Sequence, residues 1–187
     1  MKKSLILLVF VCFTRFTSAQ NTAVETSTFG IQTGFLGIWL HHEGKLSDEF
    51  ALRSEFGLDA GVFSENFEDG SLFIFVPALT LEPRWYYNLD KRTSKSRRTD
   101  GNSGNFISVK TTYHPDITLG NVDDDLNFIS DISIIPTWGI RRNVGRHITY
   151  EAGIGIGYVR FLEELSGSIL KKNDVAVNLH LRIGYRF

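Results

Sequence analysis

Asp174-Val-Ala-Val-Asn-Leu-His-Leu-Arg-Ile-Gly-Tyr-Arg-Phe187 decides how the rest of this chain is read. Val175, Val177, Leu179, Leu181, Ile183, Tyr185 and Phe187 are apolar, while Ala176, Asn178, His180, Arg182, Gly184 and Arg186 are polar, charged or small. A strand sends successive side chains to opposite faces, so this stretch predicts a strand with one oily and one wet face. A final strand that carries Arg on one side and ends on an aromatic residue suits the closure of a transmembrane barrel.

The same alternation recurs upstream. Residues 147–161 set Ile148, Tyr150, Ala152, Ile154, Ile156 and Tyr158 against Thr149, Glu151, Gly153, Gly155 and Gly157. Strands are likewise predicted over 131–142, 105–114, 72–88, 50–62 and 29–40, with a bulge near Leu36-Gly37-Ile38 in the first. Pro77 and Pro83 predict local irregularity in 72–88, because proline cannot donate to a ladder. Residues 41–48 read as a polar turn. Seven strands result, whereas bacterial single-chain barrels have an even number. Eight are therefore expected, the missing one lying in 21–28 with the start of the first strand, or in 116–130. Two hairpins echo one another, each placing an inward Glu (Glu55, Glu151) ahead of spaced glycines, as an up-and-down meander would.

Residues 1–19 read as a secretory signal: Lys2 and Lys3, a short apolar run, then Thr17-Ser18-Ala19. That run falls short of the ~20 residues a spanning helix needs. Cleavage there would remove Cys12, the single cysteine, leaving no disulfide or thiol chemistry. Residues 20–28 read as a mobile polar leader and 29–187 as one domain. The formal net charge of −1 gives no support to nucleic-acid binding.

Alternation alone does not say which face is outside. Glycines 57, 61, 153, 155 and 157 share the charged face, where a narrow lumen must admit long side chains. Trp39, Trp85, Tyr87, Trp138 and Tyr185 fall near strand ends, where membrane-interface aromatics would sit. Several strands exceed the ~9–11 residues of a tilted crossing. The expected fold is thus all-β: an antiparallel up-and-down transmembrane β-barrel of about eight strands in the cell outer membrane, with lipid as its surroundings. Loops 63–71, 116–130 and 162–173 would face outward and the basic segment 89–104 the periplasm.

Leu81-Glu-Pro-Arg-Trp-Tyr-Tyr-Asn-Leu89, Asn102-Ser-Gly-Asn105, Ile135-Pro-Thr-Trp-Gly-Ile-Arg-Arg142, Tyr150-Glu-Ala-Gly-Ile-Gly-Ile-Gly157 and Leu179 to Phe187 resemble the small outer-membrane β-barrel proteins of the Bacteroidota, the porin-like or PorT-like group. The resemblance covers about 29–187. It implies that Ile183, Tyr185 and Phe187 form the signal read by the barrel-assembly machinery. It implies no activity and names no protein partner.

A barrel of this size has an interior that side chains can fill. Arg53, Glu55, Glu82, Arg84, Glu151, Arg182 and Arg186 are expected to pair there and plug it, since an unpaired buried charge is costly. The role so implied is structural, surface-interacting or export-accessory, and not enzymatic. Two alternatives compete: a secreted soluble barrel carrying an apolar ligand, and a lipid-modifying enzyme. The enzyme needs a nucleophile beside an oriented His. His114 with nearby Asp116 offers half of that, but no Ser is spaced to join them. His147 lies at the opposite end, and His41 and His42, being adjacent, cannot face one way. No cofactor is implied: Gly153 to Gly157 lies within a strand and cannot make a dinucleotide-binding turn. Asp123-Asp124-Asp125 lacks the spacing of a calcium loop and reads as solvated. The basic run Lys91, Arg92, Lys95, Arg97, Arg98 could meet an anionic partner, but like charges also keep a turn solvated and extended, the reading favoured here.

Overall fold

The computed structural model describes residues 23–35, 37–63, 72–117, 119, 129–162 and 172–187. The signal segment, the start of the leader, the Asp123–Asp125 run and most of the three long loops fall outside these residues. The strands are β1 (Ser27–Gly34), β2 (Gly37–Lys45), β3 (Phe50–Phe63), β4 (Leu72–Trp85), β5 (Asn105–His114), β6 (Asp131–Val144), β7 (Ile148–Phe161) and β8 (Asn173–Arg186). Each pairs antiparallel with its neighbour in sequence, and β8 returns to β1 through Gly30↔Arg186 to Gly34↔Arg182, closing the barrel. The all-β up-and-down barrel and its even strand count are as expected.

The eighth strand comes from the first of its two expected places: β1 joins the end of 21–28 to the start of the stretch predicted as the first strand, whose remainder opens β2. What reads as one strand with a bulge is a hairpin: Gly34 pairs with Gly37, leaving two residues to reverse the chain. Gly37 has φ +147°, which a residue bearing Cβ would adopt only with strain. The supposed polar turn at 41–48 is mostly the second half of β2.

The described start of the leader at 23–26, the C-terminus and the connections 46–49, 86–104 and 145–147 meet at one end, the terminal rim. Gly34, Gly37 and the strand ends Phe63, Leu72, His114, Asp131, Phe161 and Asn173 lie at the far rim. Strand prolines are tolerated by one-sided pairing. Pro83 and Pro136 keep partners Leu52 and Val109, while the β4–β5 and β6–β7 ladders lapse beside them.

The wall is apolar outward and charged inward. Val175, Val177, Leu179 and Leu181 are 67–68 % exposed, whereas Arg53, Glu82, Arg84 and Glu151 are at most 2 % exposed. Trp39 departs from the aromatics expected on the outer wall. The hairpin sets β2 in a phase that turns Trp39, His41 and Glu43 inward, and all three are buried. Trp85, Tyr87, Trp138 and Tyr185 do face out, at the terminal rim. Trp138 donates to the Tyr87 hydroxyl at 2.9 Å, and Tyr185 stacks on His147 at 4.9 Å.

Residues 89–104 leave Lys91, Lys95 and Arg97 exposed, as expected, but are not extended. They fold as a short helix α1 (Leu89–Thr93) and a 3-10 turn (Asp100–Asn102), which close the terminal rim. Leu89 joins Val24, Ala51, Tyr86 and Phe106 in a small buried cluster. The leader is tied to the same cap from Val24 onward: Val24 N–H donates to Asp48 O at 2.8 Å and Glu25 N–H to Asn102 Oδ1 at 2.8 Å.

Inward rings lie against cross-strand glycines. Trp39 faces Gly57, Phe106 faces Gly139 and His180 faces Gly153, each pair in direct register. A Cβ added at Gly153 would stand 2.5 Å from His180 Cε1. Gly153→Ala is therefore expected to cost about 1–3 kcal/mol through overpacking. Gly44→Ala, whose new Cβ meets nothing closer than 3.4 Å, serves as the contrast. Urea midpoints of the two refolded variants check this.

Candidate functional site in the barrel lumen

Strand alternation sends one side chain in two to the axis, and in a barrel of eight strands opposite walls come within reach of each other. Four carboxylates, Glu43, Glu55, Glu82 and Glu151, meet four guanidiniums, Arg53, Arg84, Arg141 and Arg182, and none of the eight is more than 6 % exposed. Glu151 is the hub. Its Oε1 accepts from Arg141 Nε at 2.7 Å, Arg53 Nη1 at 3.1 Å and Gln32 Nε2 at 3.2 Å, and its Oε2 from Arg84 Nη2 at 3.2 Å. Arg84 also donates to Glu82 at 2.7 Å, and Ser108 Oγ to the same carboxylate at 2.6 Å. Arg182 donates to Glu55 at 2.8 Å, and Arg53 bridges Glu55 to the hub.

Six of the seven residues expected in the lumen are thus joined. Arg186 is not. It sits at the end of β8, where its side chain reaches Glu25 at 3.2 Å and Asp100 at 3.1 Å on the terminal rim. Sequence reasoning omitted Glu43, Arg141 and Gln32. Glu43 accepts from Arg141 at 3.0 Å and from the Tyr86 hydroxyl at 3.0 Å, linking the ionic core to the cap. Its signal was the alternation Trp39, His41, Glu43, obscured once 41–48 was read as a turn.

Above this cluster, toward the far rim, lies a cavity of about 660 Å³. Its floor is Arg182, whose guanidinium stacks on Trp39 at 3.8 Å, together with His180. Lys110, Thr112 and Ser133 line its wall. Near the mouth, His114 bridges two carboxylates: Nε2 lies 3.1 Å from Asp59 and Nδ1 3.1 Å from Asp131. Asp116, the neighbour expected from the sequence, is instead exposed. With each ring nitrogen facing a carboxylate, His114 holds no free nitrogen to take a proton from a nucleophile. His41 is buried while His42 turns outward against Phe29, its ring 4.3 Å away, so the two do diverge.

Ile183, Tyr185 and Phe187 lie on the outer wall at the β8–β1 seam, 56, 43 and 75 % exposed, with Phe187 N–H donating to Phe29 O at 3.0 Å.

Compared with protein-family models, curated proteins and solved structures, the chain matches none.

Proposed function

We propose that this chain is an integral outer-membrane barrel protein. Its lumen is plugged by its own ion pairs, and its role is structural, surface-interacting or export-accessory rather than enzymatic. One observation carries the reading: the apolar residues cover the outer wall while the ions fill the centre. In water such a wall would expose a continuous apolar belt far larger than soluble proteins tolerate. In a bilayer, a closed barrel satisfies every ladder hydrogen bond and offers lipid the surface it requires. The resemblance to small Bacteroidota barrels points the same way, and assembly would then read Ile183, Tyr185 and Phe187.

The soluble-carrier alternative needs an apolar interior, and the cavity here mixes Trp39, Ile135 and Val159 with five charged or ionisable residues, Asp59, Lys110, His114, Asp131 and Arg182. The lipid-modifying alternative as His114 offered it lacks a free nitrogen, because both ring nitrogens of His114 are engaged by carboxylates. Altered lipid A in thin-layer analysis after overexpression would restore it.

The membrane reading is tested on membrane fractions. The unboiled protein should migrate faster than the boiled one and stay with the membrane through an alkaline wash. A chain that remains monomeric in plain buffer would defeat it. The plug is tested separately, in liposomes. Wild type should show no large steady conductance, since Arg53, Arg84 and Arg141 converge on Glu151 across the whole section.

A further inference from the structure

The basic segment that closes the terminal rim also carries a feature the plug does not use. Lys91, Arg92, Lys95, Arg97 and Arg142 line, with Tyr87, a concavity of about 440 Å³ outside the lumen. Arg142 faces outward from β6, in register with the exposed Tyr150 of β7. Trp138, four residues earlier on the same outer face, donates to the Tyr87 hydroxyl. The cations therefore sit directly below the outward aromatics of the terminal rim.

Two of these arginines are fixed in place without being neutralised. Arg142 donates to Gly104 O at 2.8 Å and to Asn105 Oδ1 at 2.6 Å. Arg92 donates to Arg98 O at 2.9 Å. These acceptors are carbonyl oxygens, which position a guanidinium but leave its charge uncompensated. Among the described residues, none of the five cations forms an ion pair with a carboxylate. The nearby Asp100 is already taken by Arg98 and Arg186. Burial, with repulsion from Arg142 and Arg97, pushes the Arg92 pKa down. Like charges gathered this closely disfavour the fold unless an anion joins them.

We infer that this concavity binds the phosphate-bearing headgroup of an anionic phospholipid in the leaflet at the terminal rim. The aromatic residues above it would lie at headgroup level, where Trp and Tyr collect, and a basic site just beyond them is at the depth of lipid phosphate. Arg is suited to phosphate by its fork of N–H donors, and the lysines add unfixed charge. The inference rests on the membrane reading above.

Native mass spectrometry of the folded full chain in detergent tests it, with phosphatidylglycerol and phosphatidylcholine added in turn. Phosphatidylglycerol should be retained and phosphatidylcholine not. Lys91→Gln/Lys95→Gln/Arg97→Gln, which removes three charges whose side chains make no hydrogen bond or ion pair among the described residues, should weaken phosphatidylglycerol binding about a hundredfold, roughly fivefold for each cation. Arg92→Gln/Arg142→Gln should weaken it also. Equal retention of the two lipids, or binding unchanged in the first variant, overturns the proposal. Displacement by an equal concentration of inorganic phosphate overturns the lipid assignment and leaves a free-anion site. A chain that needs no detergent defeats the membrane reading instead, so the two failures are distinct.

Discussion

Glu151→Ala should destabilise the barrel by about 3–5 kcal/mol, the cost of removing one member of a buried ionic group. The size follows from what remains. Arg53, Arg84 and Arg141 all donate to this carboxylate, and each is at most 2 % exposed. Without Glu151, three guanidiniums face one another with only Glu43, Glu55 and Glu82 left to share. Glu151→Gln keeps the shape and an acceptor oxygen but not the charge, so it should fall between wild type and the alanine variant. Glu55→Ala should cost less, because Glu55 lies at the cavity end and loses two guanidinium partners rather than three. Equilibrium urea unfolding of the refolded protein orders the series. Equal midpoints for wild type and Glu151→Ala would mean that the hub carries no net stabilisation. Liposome conductance of the same variant reports on the plug, since the loss opens the section that Glu151 spans.

What could be read in advance depended on whether a strand carried its oily face through the apolar belt. β7 and β8 do so along most of their length, and period two suffices to find them. β2 does not. Its outward residues near the terminal rim are His42 and Gly44, beyond the belt, so polar residues occupy both faces and the stretch resembles a loop. The hairpin before it was hidden for the opposite reason, because apolar residues continue through Phe35-Leu36-Gly37-Ile38 and mask the reversal. Missing β2 meant missing Glu43. Arg186 failed differently: its phase is inward, as expected, but phase does not say how far along the axis a residue lies. Arg182 is four residues, two periods of the alternation, deeper and joins the core, while Arg186 ends at the rim. The pairing of Arg53 with Glu151, 98 positions apart, depends on closure of the barrel and on no local spacing.

Leu179→Arg distinguishes the membrane reading from any soluble barrel, because exposure alone predicts the wrong result. Leu179 is 68 % exposed on the outer wall near the middle of β8, and Leu46 is 61 % exposed on a connection at the terminal rim. In water both substitutions would lie within about ±0.5 kcal/mol, as surface changes away from special features do. In a bilayer the two sites part. Leu179, flanked by Leu181 and by Ile154 across the ladder, sits amid apolar neighbours facing the hydrocarbon, where an added Arg costs about 2–4 kcal/mol. Leu46 lies beyond the belt and beside the charged Lys45 and Asp48, so its replacement should leave stability unchanged. Folding both variants into phosphatidylcholine vesicles and comparing urea midpoints makes the test quantitative. A loss confined to Leu179→Arg requires lipid against that wall. Equal stability of the two variants would leave the outer belt without the apolar solvent that its composition demands.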